Sequence, residues 1–341
     1  MAFDFHAEPN PSQARCAEVA AYAPANPFYT PAYVEARRLL GVVPWILALR
    51  RDGQLVSACT AFMQSNVLGR SLAISSLPAL PEPEIFWQEL QRFCRKARVS
   101  SLTANSAMSP RAQVPSLPGE TGRRVRYEYV LELPDGGLWD RLPDNHRRNI
   151  QRGRKAGLHV RRAVDEYACQ EHARLMSASL ERRRNRGETV PTDVHARTLM
   201  AYIRTGAGEL FQAVRDNAVL SSLLVLLAER GAYYQSAGTS PEGMACGASP
   251  FLVYETALTL QSRSVEVFNL GGVDQPDSGL GRFKGGFATK VIQLEAAEFF
   301  LGSTLRKQGI AIARLARDLF AHVPRQVLRR RDHWPGTMPR V

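Results

Sequence analysis

A lysine lies near the end of a glycine-rich stretch, FNLGGVDQPDSGLGRFKGGFATK, at residues 268–290. Lysine beside glycine is a phosphate-binding combination, and the P-loop pattern requires Gly, four residues and then Gly-Lys-Ser/Thr at the start of a helix. Here Lys284 precedes its glycines, and the following residues, FATKVIQLEAAEFFL, are rich in β-branched and aromatic types that predict a strand. The stretch is therefore not a P-loop. Two interpretations stay open for Lys284, a chemical role or a solvated lysine before a strand.

The chain around this stretch has the composition of a globular protein. Its 341 residues are 45% hydrophobic and 22% charged, which is sufficient for two domains with ordinary cores. The N-terminal residues do not combine a basic segment with an apolar one, so no secretory signal is predicted. Every apolar run is far shorter than a membrane span. We therefore expect a cytoplasmic protein with no integral membrane segment.

The cysteines and histidines indicate neither a disulfide framework nor a metal site. The chain has five cysteines, an odd number, and none of them forms a CxxC pair. No two of the seven histidines stand at a metal-binding spacing. We therefore expect the cysteines to be small core residues and predict no metal and no bound cofactor. The cysteines are Cys16, Cys59, Cys94, Cys169 and Cys246.

The net charge of +12 is unevenly distributed. Residues 141–162 carry eight Lys or Arg against one Asp, and residues 303–341 carry nine against two, which leaves the rest near −2. Clustered Lys and Arg displace counterions from phosphates, so the two segments favour a polyanionic partner. A solvated basic helix face followed by a basic tail is the open alternative.

A helix-and-hairpin pattern occurs twice. Residues 45–62 and 209–227 each predict two strands joined at an aspartate, Asp52 in the first hairpin and Asp216 in the second. A helical pattern precedes each hairpin, and a further strand, a helix and a strand follow it. In the second half, Ser249 is the predicted N-cap of the helix that follows the hairpin. This order predicts a duplicated α+β fold with mixed sheets.

The domain boundary is predicted where prolines and glycines concentrate, in the stretch LPDGGLWDRLPDN at 133–145. Residues 1–135 then form the first domain and residues 136–302 the second. Residues 303–341 are predicted to form a basic amphipathic helix and tail that follow the second domain.

Several short motifs occur in order within the second half: RRNIQRGRKAGLHV, ERRRNRGE, YYQSAGTSPEGMACGASPFLVYETAL, VEVFNLGG and LGRFKGGF. This order resembles the Fem family of aminoacyl-tRNA-dependent peptidyltransferases. Members consist of two GNAT-like domains, which have the N-acetyltransferase fold, so the resemblance implies the duplication that the hairpins also indicate. The first domain matches only in its helix-and-hairpin layout. The sequence has no long charged helical hairpin and so resembles the arm-less type.

The resemblance implies that the protein moves an aminoacyl group from aminoacyl-tRNA to an amine and forms an amide bond. The donor ester is already activated, so the reaction needs positioning and a positive group where the oxyanion develops. Lys284 matches the family lysine with this task, and Phe283 is expected to shield it from water. The first domain is then the acceptor side and the second the catalytic, donor side. The amine belongs to a cell-envelope precursor or a natural product, and the sequence leaves open whether it is nucleotide-linked or lipid-linked and whether peptidoglycan is involved.

The resemblance also implies several substrate-binding residues. Arg148, Arg152 and Lys155 lie on a short helical stretch where the family engages phosphate or RNA. Arg184 and Arg186, at the end of the next helix, are expected to bind a diphosphate or carboxylate of the acceptor. A solvated surface position is the alternative for each of these five residues.

Three further positions complete the implied binding site. Arg37 lies in the first domain where the family has an acceptor-binding base. Tyr234 and Tyr254 are candidates for the lining of the cleft, with a buried structural role as the alternative.

The general base is not identified by these motifs. The family strand commonly has an acid before Leu-Gly-Gly, whereas here Asn269 occupies that position. Asp274 is the catalytic candidate from the loop that follows, with Asp277 or a group of the substrate itself as alternatives.

Acyl-CoA-dependent N-acyltransfer is the competing enzymatic hypothesis, because it is the usual activity of the GNAT fold. Its pyrophosphate loop is a glycine-containing turn between a strand and a helix. The one match, RKQGIA at 306–311, follows the last predicted strand and falls inside the C-terminal helix, so its context is wrong. A non-catalytic binding module is the third class, which the presence of Lys284 disfavours.

Overall fold

A computed structural model describes residues 2–66, 69–133, 136–188 and 196–302 of the chain. The predicted C-terminal helix and tail at 303–341 lie outside these ranges. None of the helices within them is long and apolar enough to cross a membrane.

The first half has the predicted helix and hairpin, and these follow a strand and a further helix that were not predicted from the sequence. Its strands are β1 (Phe3–Pro9), β2 (Val43–Arg51), β3 (Gln54–Asn66), β4 (Gly69–Ile74), β5 (Val99–Asn105) and β6 (Glu120–Glu132). Its helices are α1 (Gln13–Tyr22), α2 (Pro31–Leu39) and α3 (Pro83–Lys96), with a 3₁₀ turn at Pro27–Tyr29.

The second half repeats this order after two connecting helices, α4 (Leu138–Arg141) and α5 (Asp144–Lys155). Its strands are β7 (His159–Ala163), β8 (Gly208–Arg215), β9 (Ala218–Leu227), β10 (Gly231–Thr239), β11 (Val267–Val273) and β12 (Lys290–Phe300). Its helices are α6 (Glu166–Asn185), α7 (Ala196–Arg204), α8 (Pro241–Cys246), α9 (Ala248–Gln261) and α10 (Gly279–Gly285).

All these strands join in one mixed twelve-stranded sheet with the order β1-β2-β3-β4-β5-β12-β6-β11-β10-β9-β8-β7. The pairs β4/β5 and β10/β11 are parallel, and the others are antiparallel. Each half exchanges its last strand, because β12 pairs with β5 of the first half and β6 pairs with β11 of the second. The predicted α+β class with mixed strands is thus confirmed. The boundary near residue 135 stays a prediction.

The two halves are related by an approximate two-fold axis at the centre of the sheet. Asp52 and Asp216 both adopt φ of 48° at their equivalent hairpin turns. The antiparallel pairing of β6 with β12 places Glu128 opposite Ile292, and the sequence separation of this pair equals that of the two aspartates. Glu128 and Ile292 are therefore equivalent positions of the two halves, and the axis passes between them. The predicted duplication is confirmed by the strand order of both halves.

Two large apolar clusters form most of the core, with a small third one of Leu175, Val214 and Val219. The larger one packs the first half of the sheet against α1, α2 and α3 and reaches Tyr202 of α7. The other packs α5 and α9 on the second half, around Ile150, Phe251 and Phe268. On β10, Tyr233 packs in the first cluster, and the next residue, Tyr234, packs against the second.

The start of α9 differs from the prediction. Ser249 lies inside the helix, and Gly247 with φ of 77° is both the C-cap of α8 and the N-cap of α9. A Cβ atom at Gly247 would clash with the carbonyl oxygen of Asn149 in α5. Because only glycine combines this φ with such a close approach, the helix begins at Ala248, before the expected serine cap.

Candidate active site

Two parallel strands separate near the centre of the sheet. Strands β10 and β11 pair over three residues each, Gly231–Tyr233 of β10 with Val267–Asn269 of β11. Beyond these residues β10 has a register shift between Tyr234 and Ser236 against β9, and β11 has one between Asn269 and Gly272 against β6. Bulges of this kind bend a strand and end its pairing. We call the resulting gap, beyond Tyr233 and Asn269, the strand split.

Helix α10 brings Lys284 to the strand split. The sequence predicts a loop here, but Ser278 caps a helix over Gly279–Gly285 by accepting a hydrogen bond from the Gly281 nitrogen at 3.1 Å. A Cβ atom at Gly281 would clash with Pro276 and approach the Tyr129 hydroxyl, so glycine is what allows the helix to pack here. Lys284 lies in the last turn of this helix.

The Lys284 side chain is buried, and within the described ranges it forms no ion pair with a carboxylate. The residue is only 5% exposed, and Nζ donates a hydrogen bond to the Gly272 carbonyl at 3.2 Å. Nζ also stands 5.4 Å from the centre of the Tyr234 ring, at cation–π distance. Burial, reinforced by the charge of Arg126, lowers the Lys284 pKa from 10.5 to about 7. The solvated-turn alternative is therefore wrong for this residue.

Gly271 leaves space beside the ammonium group. It adopts φ of 75°, which favours glycine. A Cβ atom there would lie 3.5 Å from Lys284 Nζ and 3.6 Å from the Tyr233 hydroxyl oxygen. Lys284 and Tyr233 thus face one point in the strand split from opposite sheet faces, beside the Gly271 backbone and the Tyr234 carbonyl oxygen.

A buried carboxylate lies next to this point. Glu128 of β6 is 1% exposed and accepts hydrogen bonds from Asn269 Nδ2 at 2.7 Å and from the Met108 nitrogen at 3.1 Å, both on Oε2. The Tyr233 hydroxyl donates to Oε1 at 3.3 Å. The negative charge of Glu128 raises the Lys284 pKa and so partly opposes the effect of burial.

The hydrogen bonds of Asn269 require a side-chain amide at this position. Its side-chain nitrogen donates to Glu128, and its side-chain oxygen accepts from the Gly271 nitrogen at 2.7 Å. An aspartate has no proton to donate to Glu128 while both are ionised. The amide thus orients the carboxylate and holds the bulge that opens the strand split.

Two arginines add positive charge around Lys284. Arg126, two residues before Glu128 on β6, lies against the backbone of Gly272. Burial and the charge of Glu128 raise the pKa of Tyr233, and the charge of Arg126 partly opposes this rise. Arg183 of α6 lowers the Lys284 pKa and pairs with Glu188 at 2.6 Å. The site is therefore suited to a ligand that carries or develops negative charge.

Phe283 lies on the other side of α10. Its ring packs against His146 and Phe287, with ring centres 6.0 and 5.3 Å away. His146 donates a hydrogen bond from Nε2 to the Phe283 carbonyl at 2.9 Å. The ring that covers Lys284 Nζ is that of Tyr234, so Phe283 anchors α10 on α5.

The other predicted residues of the second half divide into near and distant groups. Tyr234 contacts Lys284, as described above. Asp274 and Asp277 are exposed in the loop after β11. Tyr254 is buried between α9 and the α4–α5 region, where its ring packs on Trp139 at 5.4 Å. It fits the structural alternative.

The predicted arginines and the lysine lie mainly on the surface. Arg148, Arg152 and Lys155 are exposed and have the spacing of one helix face on α5. Arg184 and Arg186 are exposed at the end of α6, and Arg186 pairs with Glu188 at 2.8 Å. The neighbouring Arg183, not these two, lies near Lys284.

Arg37 lies in the first half, with its guanidinium 5.1 Å from the centre of the Phe62 ring. Its Nε atom is buried and has no hydrogen-bond partner within the described residues. The structure thus places Arg37 in the α2 packing of the first half and does not bring it into contact with the Lys284 site.

Comparisons with solved structures agree with this architecture. FemX has a TM-score of 0.64 at 13% identity, over 86% of this chain and 96% of its own. A tandem GNAT protein from the clavulanic acid biosynthesis pathway, solved without AcCoA, has a TM-score of 0.54 at 14% identity, over 88% and 100%. The C-terminal domain of a putative lysylphosphatidylglycerol synthetase from Agrobacterium fabrum has a TM-score of 0.52 at 14% identity, over 89% and 97%.

A family model of the acetyltransferase (GNAT) domain matches residues 142–284. The chain has a tandem GNAT fold. The match begins before α5 and ends at Lys284, so it covers the strand split and most of the second GNAT-like half. No curated protein sequence matches the chain significantly. The likeness to FemX and the other structures, at such low identities, concerns the fold alone.

Sequence reasoning missed Glu128, Tyr233, Arg126 and Arg183. Glu128 and Arg126 lie on β6, which reaches the second half only through the strand exchange. Tyr233 was adjacent to a predicted residue, and Arg183 belongs to a predicted arginine run. The alternation of β10 offered a signal for Tyr233, because successive strand residues face opposite sides.

Proposed function

We propose that this tandem GNAT protein is an acyltransferase that forms an amide bond, with aminoacyl-tRNA as the donor. The observation that carries the proposal is the buried Lys284 ammonium beside the strand split, next to the Tyr233 hydroxyl. A positive group in a site with little water stabilises a developing oxyanion far more than it would in solvent. Acyl transfer is the reaction class that needs such a group without needing an enzyme nucleophile.

The reaction proceeds by attack of the acceptor amine on the carbonyl carbon of the donor ester. A C–N bond forms, and the carbonyl electron pair moves to oxygen, where Lys284 stabilises the negative charge. Collapse of this intermediate breaks the ester C–O bond, and the amine proton passes to the departing hydroxyl oxygen. The lowered Lys284 pKa keeps the lysine partly neutral near pH 7 before reaction, and the oxyanion favours its charged form.

The preference for an RNA-linked donor rests on charge. Arg148, Arg152 and Lys155 present three positive side chains on one exposed face of α5. The opposite, buried face of α5 packs on α9 through Ile150 and Gly153, and α9 follows β10, which forms one side of the strand split. A donor with a long phosphate backbone is suited to contact the exposed face while its ester reaches Lys284.

An acyl-CoA donor is the second candidate. It is favoured by the GNAT domain match over 142–284 and by the fold shared with the tandem GNAT protein from the clavulanic acid pathway. An acyl-CoA has few phosphates, so its binding depends less steeply on salt than that of tRNA.

A donor panel distinguishes the two candidates. The purified protein is incubated with aminoacyl-tRNAs or acyl-CoAs and a mixture of amines, and amide products are detected by mass spectrometry. We expect a product that requires aminoacyl-tRNA and is lost when the donor is treated with RNase. A product that survives RNase and requires acyl-CoA contradicts the tRNA proposal and establishes the alternative.

A charge variant then tests the α5 face. Changing Arg148, Arg152 and Lys155 together to Gln is expected to raise the apparent KM for aminoacyl-tRNA and to reduce its salt dependence, with little change in kcat. The matched control changes three exposed basic residues of α3, Arg92, Arg95 and Lys96, to Gln. An equal effect of both triple variants refutes a specific contact with α5.

A further inference from the structure

A cavity of about 410 Å³ lies on the sheet face opposite Lys284. The alternation of strand residues places Glu128 and Val130 of β6 on the same face as Asn269 of β11 and as Ile292 and Leu294 of β12, and all five line the cavity. Lys284 approaches from the other face, because its helix α10 packs against Tyr129. The strand split lies between the two sides.

The walls of the cavity are mostly apolar, whereas its inner end carries a charge. Val130, Ile292, Leu294 and Met108 supply hydrocarbon surface. At the inner end, Glu128 is 1% exposed, so its carboxylate lies below the surface that solvent reaches freely. A ligand that enters the cavity thus passes along apolar walls before it meets an anion.

The Glu128 carboxylate retains capacity for one more donor. Oε2 accepts from both Asn269 Nδ2 and the Met108 nitrogen, whereas among the described residues Oε1 accepts from the Tyr233 hydroxyl alone. Each carboxylate oxygen accepts about two hydrogen bonds. All three donors are uncharged. The charges of Lys284 and Arg126 are near enough to affect the same groups as Glu128 does, but in the described part of the chain neither forms an ion pair with it. A buried carboxylate without such a partner favours the binding of a cation.

The other carboxylate of the cavity is already neutralised. Glu266 pairs with Arg230 at the exposed side of the cavity. A positively charged ligand group therefore has one favourable place, beside Glu128 and adjacent to the strand split.

We propose that this cavity is the binding site for the acceptor, and that Glu128 holds its ammonium group. The ligand class is a primary amine on a short apolar stem. This inference rests on the proposed amide-forming function. It assigns the donor to the Lys284 side of the sheet and the acceptor to the Glu128 side, so that amine and ester meet in the strand split. Glu128 is thus a binding residue that touches the acceptor. The ammonium passes one proton to the Glu128 carboxylate before the neutral amine attacks the ester, and Glu128 later releases this proton to solvent.

Binding of simple amines tests the inference without any donor. The probes are n-hexylamine and n-hexanol, which have the same stem but differ in charge, and binding to the full-length protein is measured by isothermal titration calorimetry. We expect hexylamine to bind at least 10-fold more tightly than hexanol, because a hydrogen bond between charged groups adds to the shared apolar contact. Equal affinity for the two probes, or binding of neither, overturns the inference.

Three variants assign the binding to this place. Glu128→Gln is expected to remove the preference for the amine and leave hexanol binding unchanged. Val130→Phe, which fills the cavity but keeps the carboxylate, is expected to abolish the binding of both probes. The control Glu132→Gln changes an exposed carboxylate of the same strand and is expected to have no effect.

The outcomes separate this inference from the proposed function. Amine preference that persists in Glu128→Gln, or binding that persists in Val130→Phe, overturns the acceptor site even if acyl transfer is observed. If the donor panel yields no amide product, the proposed function fails, and a Glu128-dependent amine preference still supports a cation-binding cavity. Circular dichroism spectra of each variant establish that it is folded, and Val130→Phe provides the test if Glu128→Gln is not.

Discussion

Replacement of Lys284 by Met is expected to stabilise the protein in a pH-dependent way. The Lys284 pKa is lowered from 10.5 to about 7 by burial. The unfolded chain therefore binds more protons than the folded one between these pH values, so the stability of the wild type rises with pH in this window. Methionine removes the titration. The gain in free energy of unfolding from methionine is therefore largest below about pH 7 and decreases as pH rises towards 10.5.

The expected change is large enough to measure. At about 1.4 kcal/mol for each pH unit within the window, the advantage of Met over Lys decreases by about 3 kcal/mol between pH 7 and pH 9.5. Urea denaturation of both proteins, followed by circular dichroism at several pH values, gives this difference directly. Lys290→Met is the control, since Lys290 is exposed and pairs with Glu132 at 2.6 Å. A difference between wild type and Lys284→Met that stays constant with pH refutes the buried-cation description.

Two substitutions at the bulge of β11 have internal controls in the first half. Asn269→Asp is expected to cost about 3 kcal/mol at neutral pH, because a second carboxylate is buried against Glu128, and the loss should lessen as pH falls and one carboxyl is protonated. Asn105→Asp, at the equivalent position where the side-chain oxygen only accepts from a backbone nitrogen, is expected to cost much less in the same denaturation assay. Gly271→Ala and Gly41→Ala introduce the same backbone strain, about 1 kcal/mol each, but nothing lies within 4 Å of a Cβ atom at Gly41. Turnover should fall only in Gly271→Ala. Equal costs of the two aspartates, or equal turnover of the two alanine variants, contradict the description of the bulge.

The duplicated layout was predictable because its signals are local. Each hairpin is specified by alternating residues and by an aspartate at the turn, and both Asp52 and Asp216 adopt the same positive φ. The register shift in the first hairpin, between Leu49 and Arg50, recurs at the equivalent position of the second, between Ala213 and Val214. The repeated fold therefore follows from short segments that need no distant partner.

The helix that carries Lys284 was not predictable in this way. Glycine weighs against a helix, and the stretch GLGRFKG contains three of them. The cap from Ser278 and close packing of Gly281 against Tyr129 outweigh that propensity. Tertiary contact thus converted a predicted loop into a helix and buried Lys284.

The carboxylate side of the site depends on the strand exchange. The last strand of the first half, β6, pairs with β11 of the second, so Glu128 meets Asn269 across 141 residues of sequence. No local pattern around Glu128 indicates this partner. The sequence showed Asn269 where the motifs it resembles have an acid, but the reason for the amide required the position of Glu128.

The most direct test of the central claim is the turnover of Lys284→Met in amide formation with both substrates saturating. The proposed oxyanion role predicts that kcat falls about 100-fold or more, as the loss of one oxyanion donor does elsewhere, while the variant stays folded. Lys290→Met, the exposed control, is expected to retain the kcat of the wild type. Turnover of Lys284→Met close to that of the wild type would contradict the assignment of catalysis to this lysine.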